Sequence, residues 1–195
     1  MLLGISQSIA TLLTIILFYA MDFALIRRYD KKRQASGSGR SWDFTFFIFA
    51  MVAVLVLQPI LFPIISFRTS ETWGLIIQVI GVFTILTALA LHIWSRAHLQ
   101  QFYAERVEVQ PEHKVIDTGP YKLMRHPVIT SFFGIAIGLF LINPALTTLT
   151  ALLYTIWDFS RAAKQEEDLL TNTLPGYAEY ARRTPRFLPR LSRSQ

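Results

Sequence analysis

Between Gly119 and Pro127 the chain reads Gly-Pro-Tyr-Lys-Leu-Met-Arg-His-Pro, and further on it carries Gln165-Glu166-Glu167-Asp168. These two stretches hold a phenol (Tyr121), a guanidinium (Arg125), an imidazole (His126) and two adjacent carboxylates (Glu166, Glu167), with Arg161 just before the second. Groups of these types hold the charged ends of a small molecule, bind an anion or move a proton. What separates them is strongly apolar: Val128–Ile142 and Ala145–Phe159, broken only by Asn143-Pro144. A helical hairpin there returns the chain to its starting level and brings both polar stretches together. The expected chemistry is therefore chemistry at a membrane surface.

Each residue also has a plainer reading. Lys122 and Arg125 can mark the polar edge of a helix, His126 can cap one, and Glu166 and Glu167 suit a solvated helix start, where the dipole favours acids. Asp22 and Asp158 lie near span ends, within reach of the interface, and His92 and Trp94 suit interfacial packing. The combination carries the argument more than any member does.

The elements that must position these groups are apolar helices. Of the 195 residues, 52% are hydrophobic and 16% charged, and the apolar excess falls in long blocks, as in a membrane protein. Leu2–Ile26, Trp42–Phe67 and Trp73–Trp94 are each long enough to cross the ~30 Å hydrocarbon core as a helix. Gln58-Pro59 and Phe62-Pro63 predict a kink or an early end in the second. Gln34–Arg40 reads as a flexible Ser/Gly-rich loop. Val107-Glu108-Val109 reads as extended, and Gln165 opens a short helix that Pro175-Gly176 ends. The hairpin arms, at about 22 Å each, are short for full spans. There is no cysteine, which excludes disulfides, thiolate metal sites and a cysteine nucleophile.

The fold class expected is all-α: one integral membrane domain, a polytopic bundle of about five transmembrane helices. Residues 1–94 supply three, and residues 95–195 form the catalytic half, with a polar loop, the hairpin 128–159 and a charged tail. Basic residues follow the first span and do not precede it, unlike a cleaved secretory signal. Five crossings with the N-terminus outside place 18 of the 19 basic residues inside, leaving only Arg68 outside, as the positive-inside rule requires. That distribution accounts for the formal charge of +6 without nucleic acid. The location expected is a prokaryotic inner membrane, with the polar site and the C-terminus cytoplasmic.

The order Gly119-Pro120-Tyr121, Arg125-His126-Pro127, apolar hairpin with Asn143-Pro144, Glu166-Glu167, then Tyr177 and Tyr180 resembles the isoprenylcysteine carboxyl methyltransferase family. The broader group includes membrane phospholipid methyltransferases. The lead-in Glu112-His113-Lys114-Val115-Ile116 and the ending Arg183, Pro185, Leu188-Pro189 are similar too. One departure is Ile129, where the family usually has an aromatic residue. The resemblance implies methyl transfer from S-adenosylmethionine, with S-adenosylhomocysteine as product. It places His113, Val115, Ile116, Gly119, Tyr121, His126, Pro127, Glu166, Glu167, Tyr177 and Tyr180 on the cofactor. Glu166 and Glu167 accept hydrogen bonds from its amino or ribose groups, and Val115 and Ile116 wall its adenine. Arg125 and Arg161 are the catalytic candidates, since a guanidinium grips a carboxylate acceptor by paired hydrogen bonds. The partner implied is a lipophilic or prenylated acceptor entering from the bilayer, among membrane lipids. A carboxylate acceptor needs no general base, whereas an amine must lose a proton, to His126 or a glutamate; a small thiol is a third option. No Gly-x-Gly-x-x-Gly fingerprint of a dinucleotide-type fold occurs, and no metal site is expected. A scaffold or a transporter is the reading from another class; transporters place their charges at mid-membrane, whereas these charges gather at one face.

Overall fold

The computed structural model describes residues 3–29, 42–67, 70–99 and 115–189, with side chains from 49 onward in the second of these. Among them are six α-helices: α1 (Ile5–Tyr29), α2 (Trp42–Leu61), α3 (Glu71–Leu99), α4 (Pro127–Ile142), α5 (Leu146–Thr173) and α6 (Tyr177–Arg183). The Ser/Gly-rich connector, Val107-Glu108-Val109 and His113 lie outside the described residues. Two helices, α1 and α3, are long and apolar enough to cross a membrane.

Prolines set several boundaries. α2 runs two residues past Pro59, stops at Leu61, and is followed by a 3-10 turn at Pro63–Ile65, which is the expected early end. Pro127 opens α4 at its first position, where the missing N–H costs nothing. Asn143 ends α4 at φ −126°, ψ 81°, outside the helical region that a residue before proline avoids.

One element differs from expectation. α5 does not stop at Phe159 to be replaced by a separate short helix. It continues for 28 residues, about 42 Å. The change there is one of polarity only: no glycine or proline lies between Leu146 and Thr173, so the backbone has no reason to break. The second arm of the hairpin therefore carries Glu166 and Glu167 out on the same rigid rod that lines the apolar bundle.

α3 and α4 make the most extensive contact between elements, through small residues that let the backbones approach. A Cβ on Gly138 would lie 2.8 Å from the Gly81 carbonyl oxygen, and one on Gly81 would lie 2.9 Å from the Gly138 carbonyl oxygen. At one end of this seam α1, α3 and α4 are joined by polar groups. His92 and Arg96 are wholly buried, and Asp22 Oδ1 lies 3.5 Å from His92 Nε2 and 3.8 Å from Arg96 Nε. His92 Nδ1 is 3.0 Å from Ser131 Oγ, whose own proton goes to the Val128 carbonyl. Buried His92 and half-buried Asp22 thus form an interhelical tie.

The opposite end is the hairpin tip. Gln7 Nε2 (3.3 Å) and Gln78 Nε2 (3.0 Å) both donate to the Ile142 carbonyl. Asn143 Nδ2 donates to Gln58 Oε1 at 2.9 Å, Thr148 Oγ1 to the Asn143 carbonyl at 2.6 Å, and the Phe67 N–H to the Pro144 carbonyl at 2.7 Å. Helix-end carbonyls out of reach of water need such partners. The tip is level with the first turn of α1 and the third turn of α3, so the hairpin crosses most of the bundle, beyond what its arm lengths suggested.

Gly138→Ala should separate α3 from α4 and cost about 1–3 kcal/mol, as overpacking does. Thermal unfolding in detergent checks this, and Gly176→Ala, whose Cβ would meet nothing within 4 Å, shows how much a left-handed glycine costs without a packing clash.

Candidate functional site

The polar site forms where three segments meet at the open end of the bundle: the turn 115–127, the outer part of α5, and α6 with the strap after it. Gly119 is left-handed (φ 57°), and a Cβ there would run into the His98 ring. It starts a 3-10 turn through Lys122, which delivers Arg125 and His126 to the start of α4.

The segment after α6 closes over them. Pro185 O accepts from the Arg125 N–H at 2.8 Å and Arg186 O from the His126 N–H at 3.0 Å. Thr130 Oγ1 donates to the Phe187 carbonyl at 2.9 Å, and the Phe187 ring packs against His126 and Phe133. Farther along, the Tyr180 hydroxyl donates to the Tyr121 carbonyl at 2.7 Å, and Arg183 pairs with Asp117 at 2.7 Å. Pro185–Phe187 is therefore a strap hydrogen-bonded to the Arg125-His126 backbone.

Glu167 is the hub. It is 7% exposed. His126 Nε2 lies 2.8 Å from its Oε1, which also accepts from Arg186 Nε at 2.9 Å. Its Oε2 accepts from Arg186 Nη2 and lies 3.3 Å from Arg125 Nη1. Arg186 thus grips Glu167 with the two-pronged geometry that suits a guanidinium. Burial alone would raise the Glu167 carboxyl, but hydrogen bonds from His126 and Arg186, with attraction to His126 and Arg125, hold it at about 2. Burial likewise pulls the His126 imidazole down. The hydrogen bonds and attraction of Glu166 and Glu167 overcome this and hold it above its ordinary value. Glu166 Oε2 is 3.5 Å from His126 Nδ1.

Beside the hub is a small cavity of about 50 Å³, lined by Val115, Ile116, Tyr121, Arg125, His126, Glu166, Tyr177 and Tyr180, with Leu99, Leu170 and Leu174. Eight of the residues singled out in the sequence therefore share one wall. The others are placed differently. Glu167 lies behind that wall and orients three of its neighbours. Gly119 and Pro127 shape the backbone. Tyr180 lines the cavity, but its hydroxyl proton is committed to Tyr121. Burial and the nearby Glu167 and Glu166 push the Tyr177 phenol up, so it stays protonated. Arg161 is exposed, its guanidinium 5.9 Å from the Trp157 ring centroid; six residues along a helix from Glu167, it faces another way. Arg125 belongs to the same cavity as the cofactor candidates, and its Nε is buried without a hydrogen-bond partner among the described residues.

Arg186 is the residue that sequence reasoning missed. Its signal was faint: one basic residue in a basic tail, whose partner lies on a different helix.

The model of the isoprenylcysteine carboxyl methyltransferase (ICMT) family matches residues 79–172, from α3 through nearly all of α5. Over that stretch the chain resembles this family. Tyr177, Tyr180 and Arg186 fall beyond the matched stretch. The chain is 28% identical over 148 residues to the cobalt-zinc-cadmium resistance protein CzcN of Cupriavidus metallidurans, covering 74% of this chain and 63% of that protein. It is 25% identical over 186 residues to a probable protein-S-isoprenylcysteine O-methyltransferase of Oryza sativa subsp. indica, covering 90% and 92%. The chain thus spans 63% of the length of the resistance protein. The fold matches that of the eukaryotic intramembrane Ras methyltransferase ICMT with a TM-score of 0.71 at 20% identity, over 95% of this chain and 67% of that one. The chain thus shares the helical fold of an intramembrane methyltransferase and is ICMT-like from α3 to α5.

The two shifts fix a pH window. The raised His126 stabilises the fold fully below its unfolded value of 6.5, and this is lost as pH rises through the higher folded value. The lowered Glu167 stabilises above its unfolded value of 4.5, and this is lost as pH falls toward about 2. Stability from this cluster should therefore plateau between pH 4.5 and 6.5. Glu167→Gln should flatten the plateau and bring the His126 titration, followed by NMR of labelled histidine, toward its ordinary value. An unchanged His126 titration would contradict the hub.

Proposed function

We propose that this chain is an integral membrane methyltransferase that uses S-adenosylmethionine to methylate a lipophilic acceptor, with a prenylcysteine-like carboxylate as the best-supported class. The observation that carries this is a continuity along α5. A second cavity of about 230 Å³ lies between α1, α2, α4 and α5, bounded by Phe18, Leu55, Phe132, Leu139, Thr148 and Phe159 among others. Thr148, Thr155 and Phe159 recur at helical spacing, and the same stripe runs on through Ala163 to Glu166 and Leu170 in the polar cavity. The hydroxyls of Thr148 and Thr155 are spent on backbone carbonyls, so apart from the Tyr19 phenol the lining offers its occupant an apolar surface. An apolar chain below and a charged small molecule above would meet on one face of one helix.

The residues present suit the cofactor's amino-acid end. Arg125 has a buried donor without a partner, a match for a carboxylate. Glu166, half-exposed and on the cavity wall, can accept from an ammonium or ribose hydroxyl. Val115, Ile116, Leu170 and Leu174 offer an apolar wall. Bound there, S-adenosylmethionine would supply an electrophilic methyl group. The protein's contribution is to align the acceptor for in-line attack and strip water from it, alignment being worth up to ~7–11 kcal/mol in favourable models. His126 has both ring nitrogens turned to glutamates, Nδ1 3.5 Å from Glu166 and Nε2 2.8 Å from Glu167, which leaves neither facing an acceptor's proton. That favours an acceptor already anionic over an amine that must first be deprotonated.

We place the chain as a five-crossing protein of a prokaryotic inner membrane, N-terminus outside and the polar site cytoplasmic. The hairpin tip meets the first turn of α1 and the segment just before α3, which supports counting α4 and the inner part of α5 as crossings. The basic residues then lie almost wholly on the site's side, as noted for the sequence.

Calorimetry in nanodiscs should show S-adenosylmethionine binding. Glu166→Ala and Arg125→Ala should each weaken it tenfold or more, on the order of one lost charged hydrogen bond, while Arg161→Ala leaves it unchanged. A folded protein that does not bind the cofactor would sink the reading.

A further inference from the structure

Taking the 230 Å³ cavity as the site of the acceptor's apolar chain, we propose that its far end is a length stop. Leu139 and Thr148 form that end, and the Gln58–Asn143 amide bridge backs it. The inference rests on the proposed function and adds which chain lengths the site admits.

The cavity has unlike ends. Toward the polar site stands the Phe132–Phe159 ring pair, with centroids 4.8 Å apart. Both rings are only half-buried and are held by ring packing alone, Phe132 also touching Phe18 and His92. The far end is held more firmly. Thr148 is 3% exposed, Asn143 0% and Gln58 2%. Thr148 Oγ1 donates to the Asn143 carbonyl, Asn143 Nδ2 to Gln58 Oε1, and Gln58 Nε2 to Ser66 Oγ and the Phe62 carbonyl. An isolated antiparallel bridge between Ser66 and Ala145 joins the same two segments. A chain pushing past Thr148 would have to pull these groups apart where no water can replace the lost bonds, and each orphan there is costly.

The stop therefore sets a distance. From Phe159 to Thr148 α5 rises about 16 Å, room for an extended chain of roughly a dozen main-chain carbons. Ala136 and Ala151 on the cavity walls keep the bore open along this length, so a large side chain at Ala136 would shorten it from the middle.

The test uses the full chain in nanodiscs with N-acetyl-S-alkylcysteines of about eight, twelve, sixteen and twenty chain carbons, read by competition against a fluorescent alkyl probe. Wild type should bind with rising affinity to about twelve carbons and then lose at least tenfold by twenty. Leu139→Ala should move the fall to longer chains, and Ala136→Leu should move it to shorter ones. Cofactor affinity, measured on the same samples, should not change in either variant and reports that each is folded. If every length binds alike, or neither variant moves the fall, there is no stop at this place although the cavity holds chains. If no chain binds while S-adenosylmethionine does, the acceptor-chain reading itself fails, and the stop with it.

Discussion

A carboxylate removed from water survives only among donors and cations that replace what hydration supplied, and Glu167 has three of them. Arg125 and His126 come from the turn before the hairpin, and Arg186 comes from the strap that follows α6. None of these can sit where it does unless the hairpin has returned the chain and α6 has docked. Removing the carboxylate would leave cations uncompensated in a nearly closed site, a change that typically costs about 3–5 kcal/mol. Glu167 is thus less a contact for a small molecule than the reason that the groups around the cavity hold their positions.

A second constraint acts at the opposite end. The hairpin turn carries carbonyls that water cannot reach, and α1, α2 and α3 each contribute an amide side chain, Gln7, Gln58 and Gln78, to serve the turn. The bundle is pinned at both ends, by charges above and amides below, with apolar packing and an apolar cavity between. α5 is the member common to both, since one unbroken helix carries Thr148 at the amide end and Glu167 at the charged end.

Much of this was legible in the residues. Apolar length gave α1 and α3 as membrane-length helices, the prolines gave the end of α2 and the hairpin turn, and the order Gly119 to Tyr180 pointed to the family whose model matches. Where the reading failed, its signal measured something else. The fall in hydrophobicity after Phe159 marks where the helix leaves an apolar environment, and that is not where a helix must stop. Arg161 and Arg186 are both lone arginines in charged stretches; only the angular register of α5 and the path of the strap show that the first faces away and the second grips Glu167. Asp22 and His92 read as interfacial because burial depends on which helices pack together, and periodicity does not encode partners. Glu166 and Glu167 looked equivalent, yet adjacent helix positions point about 100° apart, and one lines the cavity while the other braces it.

The most direct test is transfer itself. The protein in nanodiscs would be given S-adenosylmethionine labelled on its methyl group, with prenylcysteine, phospholipid amine and small thiol acceptors offered separately. The account predicts label in the organic-extractable prenylcysteine ester, released by mild base as a methyl ester is, and its loss in Arg125→Ala. Folded protein that binds both the cofactor and the alkyl chain but labels none of the three acceptors would contradict it.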